Sequence, residues 1–260
     1  MSLSLGTLVA GRFAVRRMAG RGGMGLVYEA QDTQSGRTVA LKLMNGAGDS
    51  EAVRRFTREA RVLAELDHPG IVAYVAHGET EDGQPFLVME WLEGEDLSQR
   101  LARQPLSFSE VLLVQRLVAE VLAAAHSKGI IHRDIKPSNL FLCGGKVESL
   151  KLLDFGLARV EASSQPITGS KMMLGTPGYM APEQVSNQED ITPAADIFSL
   201  GCVLYECLSG QPPFRAPHMA AVLAKILYTD PVPLRALRPE LPIALQELVN
   251  RMLAKDPARR

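Results

Sequence analysis

The middle of the chain reads His132-Arg133-Asp134-Ile135-Lys136-Pro137-Ser138-Asn139, and Asp154-Phe155-Gly156 follows fifteen residues after Asn139. Transfer of a phosphoryl group requires a carboxylate that orients the attacking hydroxyl, a cation near the phosphate and oxygen ligands for magnesium. Four residues of these motifs supply such groups: Asp134, Lys136, Asn139 and Asp154. Their order and spacing predict a phosphotransferase.

The composition limits the possible partners. The 260 residues are 46% hydrophobic, which is enough for one large domain or two small lobes. Twenty-eight basic and twenty-nine acidic residues give a formal charge of −1. Without a basic excess, neither nucleic acid nor an anionic membrane is expected as the main partner.

The sequence predicts neither a targeting signal nor a functional role for its cysteines. Residues 1–10 carry no charged segment before their apolar residues, so we expect no signal peptide. No run of eighteen apolar residues predicts a membrane span. Three cysteines without a CxxC pair favour free thiols in a reducing compartment. We therefore expect a soluble, cytoplasmic chain.

Periodicity changes along the chain. Short apolar runs separated by turns predict strands near 12–18, 26–30, 38–43, 72–77 and 86–90, with one helix over 50–64. Longer helical patterns follow at 109–127, 195–208, 220–227 and 243–253. This order predicts an α+β fold with a small antiparallel β lobe carrying one helix and a larger, mainly helical lobe. A cofactor commonly binds between two such lobes.

Two features of the predicted small lobe could handle phosphate. The spacing Gly20-x-Gly22-x-x-Gly25 lies between two predicted strands, where a plain hairpin is the commoner explanation. Lys42 ends the run Val39-Ala40-Leu41-Lys42 and could be an exposed strand-end lysine. Glu59 on the predicted helix could instead neutralise it, with Glu65 as the rival partner.

Together these motifs resemble the eukaryotic-type (Hanks-type) protein kinase family in its serine/threonine branch. The resemblance covers residues 11–260 and rests on GRGGMGLVYEA, VALK, REARVLAELDHPGIV, HRDIKPSN, DFGLAR, GTPGYMAPE and DIFSLG. The sequence GGMG at residues 22–25 resembles that of bacterial members of this family. The resemblance implies a bilobal kinase fold with residues 1–10 as an N-terminal extension, a small lobe over 11–91 and a large lobe over 92–260.

The resemblance also implies roles for individual residues. Asp134 resembles the catalytic carboxylate, and Lys136 resembles the lysine that neutralises the transferring phosphoryl group. Asn139 and Asp154 resemble the Mg²⁺ ligands, while Lys42 with Glu59 resembles the ion pair that holds ATP phosphates. The remaining implied ATP contacts are Ala19, Gly20, Gly22, Gly23, Gly25, Val27, Ala40, Met89, Glu90, Leu92 and Phe141.

Specificity and control are implied by further positions. Lys136 and Thr176 are typical of kinases that phosphorylate serine and threonine in proteins. The segment 154–183 resembles an activation loop with hydroxyls at Ser163, Ser164, Thr168 and Ser170. We expect phosphorylation of Thr168, Ser170 or both, with Arg133 as the receptor for the phosphate. Two copies of the chain could pair so that one phosphorylates the other.

Three other positions matter for the large lobe. Asp196 resembles the helix carboxylate that holds the catalytic loop, and Glu183 with Arg260 resembles a buried ion pair. The chain stops at Arg260, where the resemblance implies one more helix covering that arginine.

Two alternatives use the same motifs. A pseudokinase would bind nucleotide or partners without turnover, but it commonly lacks Lys42, Asp134 or Asp154, and all three are present. A small-molecule phosphotransferase would lack a segment such as Ala181-Pro182-Glu183. The sequence therefore favours protein substrates.

Overall fold

The first part of the chain forms a six-stranded antiparallel sheet in the order β1-β2-β3-β4-β6-β5. The computed structural model describes residues 3–22, 25–44, 60, 63–154, 177–188 and 190–260. The strands are β1 Leu8–Val9, β2 Phe13–Gly22, β3 Gly25–Asp32, β4 Thr38–Met44, β5 Tyr74–Glu79 and β6 Pro85–Glu90. Ala60 and residues 63–65 are helical, and the rest of the predicted helix lies outside the described residues.

One face of this sheet is a hydrophobic core. Alternate residues of β3 and β4 point into it, and Phe13 and Phe86 pack edge to face with ring centroids 6.3 Å apart. Strand β1 extends the sheet by pairing Leu8 with Ala14, so part of the predicted N-terminal extension belongs to the sheet. That pairing was not expected, because a two-residue strand shows no alternation.

A second, three-stranded sheet begins the later part of the chain. Strand β7 (Gly94–Asp96) pairs with β8 (Leu140–Cys143), which pairs with β9 (Leu150–Leu152). The helices are α1 Leu97–Arg103, α2 Phe108–His126, α3 Pro182–Val185, α4 Ala194–Ser209, α5 Met219–Tyr228, α6 Leu234–Leu237 and α7 Ile243–Met252. Among the described residues, those up to Glu93 form one compact unit, and those from Gly94 onward form a second. The predicted α+β class, with a β-rich part followed by a helical part, is confirmed.

Local chemistry explains where the main helices begin and end. The Ser107 hydroxyl accepts a hydrogen bond from the Glu110 backbone N–H, and the Glu110 carboxylate accepts from the Ser107 N–H at 2.7 Å. This reciprocal cap satisfies two N–H groups at the start of α2. Helix α4 ends at Gly210, whose φ of 77° lies in the left-handed region that glycine adopts readily.

Helix α4 is the central helix of the second unit. Most of its residues are buried, including Phe198, whose ring stacks on that of Phe214 with centroids 5.9 Å apart. At Gly201 an added Cβ would lie 2.8 Å from the Cβ of Met252, so glycine allows α7 to approach closely. No helix among the described residues is long and apolar enough to cross a membrane.

The predicted ion pair between Glu183 and Arg260 is present. Arg260 donates to both carboxylate oxygens of Glu183, at 2.6 and 2.8 Å, and both side chains are almost fully buried. Its guanidinium also lies 4.9 Å from the centroid of the Phe198 ring. Contacts within the chain bury the Arg260 side chain. The further helix that the resemblance implies stays a prediction.

Arg260→Leu should lower the free energy of unfolding by about 3–5 kcal/mol, because it leaves the Glu183 carboxylate buried without its cation. Urea denaturation followed by circular dichroism measures this loss. The double variant Glu183→Leu/Arg260→Leu should recover part of it, since no charge then stays buried. A single-variant loss below about 1 kcal/mol, the range of an exposed pair, would contradict the argument.

A half-buried acid, Glu206, makes stability depend on pH. The Tyr179 hydroxyl donates to the Glu206 carboxylate. Burial raises the pKa of Glu206 above its ordinary value of 4.5, although this hydrogen bond partly opposes the shift. Because the folded state binds the proton more tightly, Glu206 stabilises the fold fully below its unfolded pKa. That stabilisation is lost as pH rises through the folded pKa.

Glu206→Gln cannot titrate, so its stability relative to the wild type should increase as pH rises from about 4.5 to about 7.5. Thermal unfolding at a series of pH values measures the difference. Exposed Glu240 is the control, because hydrogen bonding to Arg238 lowers the pKa of its carboxyl. Glu240→Gln should show a small change of the opposite sign. Parallel pH profiles for wild type and Glu206→Gln would show that this carboxyl does not titrate as argued.

Candidate active site

The register of the first sheet brings several predicted ATP contacts to one face. Val27 on β3 pairs with Lys42 on β4, and Ala40 pairs with Met89 on β6. Directly paired residues of antiparallel strands project to the same side, so these four side chains share a face. The opposite face is the hydrophobic core. The sequence predicted these four residues as ATP contacts only through the resemblance, and strand periodicity played no part in that prediction.

The glycine motif lies at the end of the same sheet. Gly20 pairs with Val27, and Gly22 pairs with Gly25 at the tip of the β2–β3 hairpin. A Cβ on Gly25 would lie 2.0 Å from the carbonyl oxygen of Leu43, so glycine is required there by strand packing. Ala19 sits at an irregularity of the β2–β3 pairing, and Gly23 lies outside the described residues.

The end of β6 and the residues after it carry the predicted adenine contacts. The Glu90 N–H donates to the Ala73 carbonyl at 2.9 Å, and its carboxylate accepts from the Ala73 N–H at 2.7 Å. This N–H is therefore already used within the sheet. Leu92 follows β6 and is partly exposed. Lys42 is buried, with a relative exposure of 6%, and its predicted partner Glu59 lies outside the described residues.

The second unit contains the predicted catalytic loop, residues 132–139. Lys136 Nζ donates to Asp134 Oδ2 at 2.7 Å, and Asn139 Nδ2 donates to the same oxygen at 3.1 Å. Asn139 Nδ2 also donates to the Asp134 backbone carbonyl at 2.7 Å. The amide nitrogen of Asn139 is thus used within the loop, so its amide oxygen is the atom that could bind a metal ion.

The β8–β9 pair brings the two predicted metal ligands to one edge. Asn139 directly precedes β8, Asp154 follows β9 by two residues, and Leu140 pairs with Leu152. The Leu153 N–H donates to the Asn139 carbonyl at 2.9 Å. Asp154 has a φ of 44°, a conformation that is uncommon for non-glycine residues and that recurs at active sites. Phe141 lies on β8 between buried Leu140 and Leu142 and is itself partly exposed.

The donor set fits magnesium better than a transition metal. Among the described residues, no group of three or more histidine, cysteine or acidic side chains could hold a metal ion. Mg²⁺ does not need such a cage, because one or two protein oxygens together with phosphate oxygens and water complete its octahedron. Asn139 and Asp154 supply two hard oxygen donors at one edge of the sheet.

Buried Asp196 holds the catalytic loop in place. Its carboxylate accepts hydrogen bonds from the His132 N–H at 2.9 Å and from the Arg133 N–H at 2.7 Å. His126, at the end of α2, donates from Nε2 at 2.8 Å. The sequence predicted the role of Asp196 from the resemblance, but it assigned none to His126.

His132 connects this loop to β9. Its Nε2 lies 2.9 Å from the Leu153 carbonyl oxygen, which can only accept, so this nitrogen carries the proton. Its Nδ1 therefore accepts the Asp134 N–H at 3.2 Å. Since His132 is fully buried, this arrangement fixes the backbone of Asp134 relative to the strand that precedes Asp154.

This chain is similar to known proteins along its length. The family described as protein kinase domain matches residues 13–260. The chain belongs to this family. The kinase domain is 38% identical over 267 residues to the serine/threonine-protein kinase PknA of Mycobacterium tuberculosis. It is 40% identical over 254 residues to PknH of Mycobacterium bovis and 40% identical over 253 residues to PknE of Mycobacterium tuberculosis.

These relatives are longer proteins. The alignment covers all of this chain but 60% of PknA, and 96% of this chain but 42% of PknH and 44% of PknE. All three carry the name serine/threonine-protein kinase. The similarity confirms the predicted resemblance to bacterial Hanks-type kinases.

Asp196→Asn should lower both stability and turnover of the kinase domain. The asparagine amide would place an N–H₂ group against a backbone N–H, which leaves a buried donor unsatisfied at a cost of about 1–3 kcal/mol. We expect turnover to fall at least about tenfold, because the loop that carries Asp134 loses its anchor. Exposed Asp190→Asn is the control. Unfolding measures the loss of stability, and labelling from radioactive ATP measures turnover. Wild-type stability and turnover in Asp196→Asn would show that Asp196 does not anchor the loop.

Proposed function

We propose that this kinase domain transfers the γ-phosphoryl group of Mg-ATP to serine and threonine hydroxyls of proteins. The observation that carries the proposal is the Asp134 carboxylate, hydrogen-bonded by Lys136 and Asn139 in a loop that is tied to Leu153 beside Asp154. This arrangement gathers a base, a cation and two metal-binding oxygens. The names of the relatives support the choice of serine and threonine.

In the proposed reaction, the Asp134 carboxylate accepts the proton of the attacking hydroxyl. The hydroxyl oxygen forms a bond to the γ-phosphorus while the bond to the β–γ bridging oxygen breaks, and ADP leaves. Lys136 stabilises the negative charge on the transferring group. Mg²⁺, held by Asn139 and Asp154, would neutralise phosphate charge. Lys42 with Glu59 binds the phosphates, and the apolar face around Val27, Ala40 and Met89 binds the base.

Autophosphorylation is part of this proposal. The candidate acceptors lie outside the described residues; they are Thr168, Ser170, Ser163 and Ser164. Thr176, which is typical of serine/threonine specificity, also lies outside them. Arg133, the proposed phosphate receptor, is partly exposed next to Asp134. If one copy of the chain phosphorylates another, the initial rate per molecule should rise with protein concentration. ATP dependence and protein substrates together suggest a signalling role in the cytoplasm.

Asp134→Asn should reduce phosphate transfer by about 10²–10⁴-fold, the range expected for loss of a general base. Labelled ATP with a generic basic protein measures transfer, and mass spectrometry before and after phosphatase treatment locates modified hydroxyls. Asp190→Asn again serves as the control. Equal labelling by wild type and Asp134→Asn would make the catalytic assignment wrong.

The other functions have distinct outcomes in the same assay. A nucleotide-binding module would show thermal stabilisation by ATP without any labelling. A small-molecule phosphotransferase would transfer label to small alcohols and leave proteins unlabelled. Either result would replace the proposed protein kinase activity.

A further inference from the structure

Two hydrogen bonds from outside the catalytic loop hold the backbone of Arg133. Its N–H donates to Asp196 Oδ1 at 2.7 Å, and its carbonyl oxygen accepts from Gln184 Nε2 at 2.9 Å. Arg133 has a φ of 66°, in the left-handed region that few non-glycine residues adopt. External contacts at both polar groups stabilise this uncommon conformation.

The carbonyl of Arg133 shares a rigid peptide plane with the N–H of Asp134. That N–H donates to Nδ1 of His132, which lies within the same loop. Gln184 binds the opposite edge of the plane from helix α3. Rotation of this plane would turn the backbone of Asp134, so the contact with Gln184 constrains the direction of the Asp134 side chain.

The Gln184 side chain uses both ends of its amide. While Nε2 donates to Arg133, Oε1 accepts from the backbone N–H of Ala181 at 3.0 Å. An amide both donates and accepts, whereas a carboxylate only accepts and an ammonium only donates. Gln184 therefore joins the start of α3 to the catalytic loop in a way that an acidic, basic or apolar side chain cannot reproduce.

We propose that Gln184 is a positioning residue for the phosphoryl transfer reaction. Acting through the Arg133 carbonyl, it orients Asp134 and makes that orientation depend on how residues 177–188 are seated. The catalytic consequence rests on the proposed function, which assigns the base to Asp134. The structural consequence, a restrained Arg133–Asp134 peptide, does not.

Substitution can separate this role from simple capping of α3. Gln184→Glu keeps an oxygen for the Ala181 N–H but cannot donate to the Arg133 carbonyl. Gln188→Glu makes the same chemical change at an exposed position four residues later and serves as the matched control. Gln184→Met removes both hydrogen bonds with little change in size, and it provides a second variant if Gln184→Glu does not fold.

Turnover of Gln184→Glu should fall about tenfold with KM for ATP nearly unchanged, because misplacing a catalytic group weakens the chemical step more than substrate binding. Hydrogen–deuterium exchange should show faster exchange at Arg133 and Asp134, again by about tenfold, with other protected amides unchanged. Gln188→Glu should match the wild type in both measurements. Gln184→Met should reproduce the turnover and exchange changes of Gln184→Glu.

Several results would overturn the proposal. These are wild-type turnover and exchange in Gln184→Glu, equal losses in Gln188→Glu, or faster exchange throughout the chain, which would show a general loss of stability. Failure of the proposed function is recognised separately, by equal labelling in wild type and Asp134→Asn. In that case the exchange rates at Arg133 and Asp134 still decide whether Gln184 restrains the peptide.

Discussion

The hydrogen bonds to the buried carboxylate of Asp196 are the interaction on which the catalytic unit depends. A carboxylate without solvent is costly unless donors surround it. Here two backbone N–H groups of the catalytic loop and Nε2 of His126 provide those donors. The loop needs an acceptor for its N–H groups, and the carboxylate needs donors. Each buried group thereby removes the desolvation penalty of the other, which ties the loop to the central helix α4.

His132 connects this anchored loop to the edge of the sheet that carries Asn139 and Asp154. Its ring donates to the Leu153 carbonyl and accepts from the Asp134 N–H, so a neutral imidazole with one defined tautomer connects the two chain segments. The Leu153 N–H in turn binds the Asn139 carbonyl. Asp134, Asn139 and Asp154 are thus placed by backbone hydrogen bonds, and a buried histidine can make these bonds without carrying a charge into the core.

Different parts of this arrangement were visible in the sequence to different degrees. The apolar run at residues 38–43 predicted the strand, but Ala40 and Lys42 were assigned to the ATP site only through the resemblance. Their position on one face follows from the strand register. The motif around Asp134 predicted the catalytic groups through their spacing. Gln184 and His126 were missed because each binds a residue that is distant in sequence, Arg133 for Gln184 and Asp196 for His126, and such contacts leave no local pattern. Strand β1 was missed for a related reason, since two residues are too few to show a period.

The two units hold their functional groups by different physical means, and this predicts where substitutions are tolerated. In the first sheet, register places Val27 and Lys42 side by side, so another apolar residue at Val27 would keep the same position. In the catalytic loop, position depends on particular donors and acceptors at Asp196, His132 and Gln184. A similar shape there is insufficient, because exchanging an oxygen for an N–H₂ group turns a hydrogen bond into a repulsive contact. Chemical identity therefore matters even in residues that position the catalytic loop without contacting the substrate.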